Sequence, residues 1–130
     1  MTSYADPELL ITGWLKARGH HVRADPHLPA NSWAKAPITH IQRGQGFGGL
    51  ALTLDDVLLD FDTYSAKAET AREEAHALWG VMTFELPHAT LPGNIFVTTT
   101  SVQTAPLWTP STNGVYRRTA AYRVVLHGVV

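Results

Sequence analysis

The stretch Val57-Leu58-Leu59-Asp60-Phe61-Asp62-Thr63-Tyr64, continued through Ser65 to Met82, changes its hydrophobic period from two to about 3.6 with almost nothing between. Leu59, Phe61 and Thr63 share one face of an expected strand, and Asp60, Asp62 and Tyr64 share the other. One side is therefore dry and the other wet. Ala68, Ala71, Ala75, Leu78, Trp79, Met82 and Leu86 then recur at helical spacing, with Lys67, Glu69, Arg72, Glu73 and Glu74 turned away from that stripe. Ser65 is the expected N-cap, and Glu69 suits the positive end of the helix dipole.

Upstream, Asp6-Pro7 reads as an N-cap followed by proline at the first helical position. Leu9, Leu10, Trp14, Leu15 and Ala17 give an apolar face to a helix over about residues 7–18, which Gly19 stops. His21–Ala24 forms a short strand, the prolines between Asp25 and Pro37 impose an extended loop, and Ile38–Arg43 is a further strand. A glycine-rich tip, Arg43–Gly49, joins it to the strand near Leu54–Tyr64 as an antiparallel hairpin. Downstream, Ile95–Val102 is rich in β-branched residues and reads as a strand. Pro106, Pro110 and Asn113-Gly114 break the chain before a last strand from Val115 to Leu126. The order is α-β-β-β-α-β-β in one domain, residues 1–130. Two helices cover only one face of a single mixed, mostly antiparallel sheet, so the fold class is α+β.

Composition narrows the function. A chain of 130 residues with 45% apolar and 16% charged side chains is globular, and its sparse charge suggests surface covered by another molecule. With a formal net charge of -1 and no basic block longer than Arg117-Arg118, it lacks an electrostatic footprint for nucleic acid. Zero cysteines exclude disulfides, a thiol nucleophile and cysteine zinc sites. The N-terminus lacks a basic and apolar leader and no apolar run approaches the roughly 20 residues of a membrane span, so a soluble protein without a signal peptide is expected.

No motif assigns chemistry. Gly44-x-Gly46-x-x-Gly49 matches the letters of the dinucleotide fingerprint, but Leu50–Leu54 behind it alternates like a strand where the motif needs a helix. Glu73-x-x-His76 has the spacing of a di-iron ligand pair without the second pair that chemistry requires. Asp55, Asp56, Asp60 and Asp62 are the densest acidic group, and Arg117, Arg118 and Arg123 on the last strand offer partners, so cross-strand or intersubunit ion pairs are expected. Trp33 and Trp108 fall in proline-rich loops and either anchor a contact surface or tuck over the core edge; Trp14 and Trp79 read as core. No catalytic, cofactor-binding or metal-binding residue is identified.

The pieces "WLKARG" closing the first helix, "ITHIQRGQG", "LDDVLLDFDTYSAKAETAREEAHALWGVM" and "YRRTAAYRVVLHG", in this order over nearly all of residues 7–128, resemble the tail terminator family of long-tailed bacteriophages. In that family, too, an acidic residue precedes an alternating strand, a small-residue helix follows, and a strand bearing arginine and tyrosine closes the chain. The resemblance implies a structural virion protein, without active site or cofactor, that forms a ring, expected to be a hexamer, on the head-proximal end of the tail tube. There it would end tube polymerisation and dock the neck. The implied partners are further copies, the major tail tube protein and a head-closure protein, with genome DNA passing the lumen unbound, and no membrane. The implied location is the virion, and the host cytoplasm during assembly.

On this reading Phe47 and Trp108 bury against a neighbouring subunit or the tube. Asp60, Asp62, Arg117, Arg118 and Arg123 contribute ring contacts or line the lumen. A head-closure or tail-completion protein is the neighbouring alternative. A small ligand- or metal-binding enzyme domain is the alternative of another class, and a toxin, antitoxin or secretion accessory protein a third.

Overall fold

The computed structural model describes residues 6–24, 36–44, 49–51, 54–110 and 114–127. Helix α1 (Pro7–Ala17) starts where Asp6 accepts the Glu8 N–H at 2.9 Å and ends at Gly19, whose φ of +90° suits glycine. Seven strands follow: β1 (Val22–Arg23), β2 (Ile38–Arg43), β3 (Gly49–Ala51), β4 (Leu54–Ser65), β5 (Thr90–Leu91), β6 (Ile95–Thr109) and β7 (Tyr116–His127). Helix α2 (Ala68–Gly80) lies between β4 and β5. The sheet order is β1-β2-β4-β7-β6-β5, with β3 also paired to β4; only β1 and β2 run parallel. The fold is α+β, with both helices on one face of a mostly antiparallel sheet, and the sequence order of elements is closely matched. Two short strands, β3 and β5, are additions.

The alternation of β4 builds the core. Val57, Leu59, Phe61 and Thr63 all point toward the helices, and across the ladder Leu59 faces Tyr122 while Phe61 faces Ala120. Phe61 and Tyr122 meet edge to face at 4.9 Å. From above, α1 contributes Ile11 and Leu15, and α2 contributes Ala71, Ala75 and Leu78. Thr39 and Thr63 bury their hydroxyls together at 2.9 Å on neighbouring strands, so each satisfies the other. Trp14 and Trp79 pack against this core from its margin.

Four expectations are corrected. Ser65 does not cap α2: it ends β4, buried, and its hydroxyl accepts the Lys67 N–H at 3.2 Å, while Lys67 holds the N-cap position without a side-chain bond. Ala66 and Lys67 separate β4 from the helix, so Ser65 stands two positions before the N-cap. Leu9 and Ala17 are exposed, and the buried stripe of α1 runs instead through Pro7, Ile11, Thr12 and Leu15. The apolar stripe of α2 does reach Met82 and Leu86, but through a π-helical turn, Val81–Glu85, in which the Leu86 N–H donates to the Val81 carbonyl at 2.9 Å.

The fourth correction concerns Pro106, which does not break the chain. β6 runs on to Thr109, with register shifts between Thr104 and Leu107 where a residue without an N–H costs no ladder bond. Trp108 therefore sits in a strand, opposite Arg118, and not in a loop.

Tyr122 is 1% exposed, and its hydroxyl has no hydrogen-bond partner among the described residues; burial pushes its pKa upward. An unpaired buried hydroxyl opposes folding, so Tyr122→Phe is expected to stabilise the chain by about 1 kcal/mol. The measurement is the urea midpoint at unchanged slope. A comparable loss of stability would reveal a partner for the hydroxyl.

Candidate functional site

The face of the sheet away from the helices collects most of the residues singled out by sequence. Strand alternation puts Asp56, Asp60, Asp62 and Tyr64 of β4 there, beside Arg117, Thr119, Ala121 and Arg123 of β7 and His40 and Gln42 of β2. Arg117 donates from Nε and Nη2 to Asp62 Oδ1 at 3.1 and 2.9 Å, diagonally across the ladder. Its guanidinium also lies over the Tyr64 ring, 5.8 Å from the centroid. Arg123 grips Asp56 through both Nε, at 2.8 Å, and Nη2. Asp62 is only 8% exposed, so the face expected to be wet is half dry where these pairs form.

The acidic group is thus split by geometry. Asp55 points to the opposite face, where it is buried and takes a bidentate grip from Arg43, at 2.9 and 3.2 Å. Sequence reasoning missed Arg43; its place opposite Leu59 in the hairpin register was the available signal. The expected cross-strand ion pairs are present for Arg117 and Arg123. Arg118 is not with them: it projects toward α2, its guanidinium stacked 4.1 Å over the Trp108 ring. Odd and even positions of one strand cannot share a face, so Arg117 and Arg118 are separated by the pleat.

Asp60 is the carboxylate without an ion-pair partner among the described residues. It lines a groove of about 250 Å³ with Gln42, Asp62, Thr104, Arg117 and Thr119. Loss of water there, and then the nearby Asp62 charge, raise its pKa above the ordinary carboxylate value. Asp56 moves the other way, because Arg123 hydrogen-bonds its ionised form. Gly44 closes the groove edge: a Cβ at this position would stand 2.7 Å from Asp60 Oδ2. The first glycine of the fingerprint therefore abuts a carboxylate, and Gly49, the last, opens strand β3 where a helix would be needed.

Phe47 and Trp33 lie outside the described residues. Glu73 and His76 occupy the exposed side of α2. Among the described residues no three His, Asp or Glu side chains converge as metal ligands, and no helix is long and apolar enough to cross a membrane. Large apolar side chains are exposed elsewhere: Trp108 at 46%, Tyr116 at 44% and Phe84 at 73%. The chain matches no protein-family model and no curated protein.

Chemically, the open face is a set of matched charges with one carboxylate left over. Because Asp60 takes up a proton more readily in the folded chain than in the unfolded one, its contribution favours folding fully below the unfolded pKa. That contribution is lost as pH rises through the folded pKa. Asp60→Asn is therefore expected to be more stable than the unaltered chain at pH 7, by a fraction of a kcal/mol for a group that keeps part of its water. The advantage should vanish near about pH 3, where carboxylates are protonated. Thermal unfolding of both chains across this range checks it; a less stable variant at pH 7 would mean that the carboxylate has a partner.

Proposed function

We propose that this protein is a structural subunit of a bacteriophage tail, which closes into a ring on the head-proximal end of the tail tube, ends tube polymerisation and presents the surface to which the neck docks. The observation that carries this reading is the one-sided sheet. Two helices cover one face, no described helix packs on the other, and β5 and β1 stand at the two ends of the strand order. Each piece of sequence that resembles the tail terminators is a whole element or junction here: "WLKARG" closes α1, "ITHIQR" is β2, "LDDVLLDFDTYS" is β4 and runs into α2, and "YRRTAAYRVVLH" is β7. A heterologous contact repeated around an axis closes such a unit without a dedicated partner.

The chemistry of the bare face agrees with this role. Its ion pairs leave it polar, which suits a lumen or a wet subunit contact better than a dry core. Asp60 and Asp62 on that face would not attract a passing polyanion, and Arg117 and Arg123 are already engaged by carboxylates. Placement at the terminator position, as opposed to a neighbouring head-closure or completion position, rests on the resemblance.

The test uses the purified protein with polymerising tail tube protein. Added chain is expected to halt elongation and to appear by negative-stain electron microscopy as extra density at one tube end. Tubes that keep lengthening in its presence would overturn the reading. Replacing Phe47 and Trp108 together by alanine is expected to leave a folded monomer that no longer assembles or caps.

A further inference from the structure

Three exposed aromatic side chains, Trp108, Tyr116 and Phe84, lie at the two ends of α2, whereas Phe96, 38% exposed, lies beside β5 at the far side of the sheet. At the first end, Tyr116 lies opposite Ser65, just before the helix, and its ring meets Trp108 at a tilt, 5.8 Å between centroids. The Arg118 guanidinium lies 4.1 Å from the centroid of the Trp108 ring, and burial first, then Arg72 one turn into α2, disfavour its charge. Neither arginine has a carboxylate within ion-pair reach among the described residues, and Arg118 Nε is buried without an acceptor. An aromatic platform with two unmatched guanidiniums is an incomplete contact.

At the second end the π-helical turn turns Phe84 outward, while Met82 and Leu86 stay buried. Trp79 supports the Phe84 ring edge to face at 5.7 Å. Glu85 beside it binds Arg18 through Oε1 at 2.8 Å, and its other oxygen has no donor among the described residues. A π turn is uncommon and recurs at functional positions. From Ala68 to Phe84 the helical rise separates the two ends by about 25 Å, so one copy cannot satisfy itself.

We infer that the Phe84–Glu85 corner of one copy docks on the Trp108–Tyr116–Arg118 platform of the next. An isologous contact between two platforms would bring four guanidiniums together, whereas a head-to-tail contact sets an aromatic ring on an aromatic platform and a carboxylate against unmatched cations. The occupant is therefore a second copy of this chain. The inference rests on the ring reading above, to which it adds the two surfaces.

Phe84→Asp and Trp108→Asp each spoil one surface at an exposed position, and circular dichroism with thermal melting verifies that the monomers stay folded. By sedimentation velocity, the unaltered chain is expected to form multimers at concentrations where each variant alone is monomeric. An equimolar mixture of the two variants retains one good contact per pair, so it should give a complex of two copies and nothing larger. Normal assembly by either variant alone, a mixture that stays monomeric, or an unaltered chain that is monomeric up to about 1 mM would each overturn the inference. If a variant assembles normally and still caps tubes, these surfaces fall and the ring reading stands; if assembly uses them but tubes elongate unchecked, the ring reading falls and these surfaces stand.

Discussion

The pleat of β4 is the constraint on which the rest of the molecule depends. It is central in the sheet, paired with β7 along its whole length and with β2 and β3 on the other side. Its odd positions supply Val57, Leu59, Phe61 and Thr63 to the core, and its even positions supply Asp56, Asp60, Asp62 and Tyr64 to the open face. A slip of one residue would bury three carboxylates under the helices and expose Phe61, parting it from Tyr122 of β7. Both errors are costly, so the register is doubly specified. The arginines of β7 then have no freedom: Arg117 and Arg123 reach Asp62 and Asp56 on the open side only because β4 holds those acids there.

The helices are tied down by polar contacts at their ends as well as by the core. His20 Nδ1 lies 2.7 Å from Glu74 Oε1, and Arg18 meets Glu85 at 2.8 Å while covering the Trp14 ring at 4.0 Å. The exposed Arg18–Glu85 pair contributes little to stability, on the order of 0 to 1 kcal/mol, while the His20–Glu74 contact is part-buried. Their value is geometric, since they fix the C-terminal end of α1 beside α2 and so orient the π-helical turn. The same side chains that anchor the helices thereby position Phe84.

Much of this was legible in sequence, and the reasons are physical. Period two followed by period 3.6 has few structural solutions, so β4, α2 and the sides they present follow from the positions of Leu59, Phe61, Ala71, Ala75 and Leu78. The capped start of α1 was readable from Asp6-Pro7. What escaped were features decided by partners distant in the chain. Pro106 is read as a breaker by local rules, yet an edge position with shifted register accommodates it within β6. Arg118 was grouped with Arg117 because neighbours in sequence look alike until the pleat separates them. Alternation in β4 puts Asp60 and Asp62 on one face, as the sequence implies; the structure adds Arg117 and Arg123 to that face and sets Trp108 and Arg118 on another.

The sheet matches Arg43 with Asp55, Arg117 with Asp62 and Arg123 with Asp56, and leaves Asp60 and Arg118 without an ion pair among the described residues. Asp60 keeps its carboxylate in a groove that raises its pKa, and Arg118 keeps an unpaired Nε beneath an exposed tryptophan. A lone domain selected only for stability would replace both with neutral side chains, because each desolvated charge costs more than it returns without a counterion. Groups supplied by a neighbouring copy, as the proposed ring would bring, would offset that cost. Local rules misread Trp108 because register shifts carry β6 past Pro106, and Arg118 because the pleat parts it from Arg117.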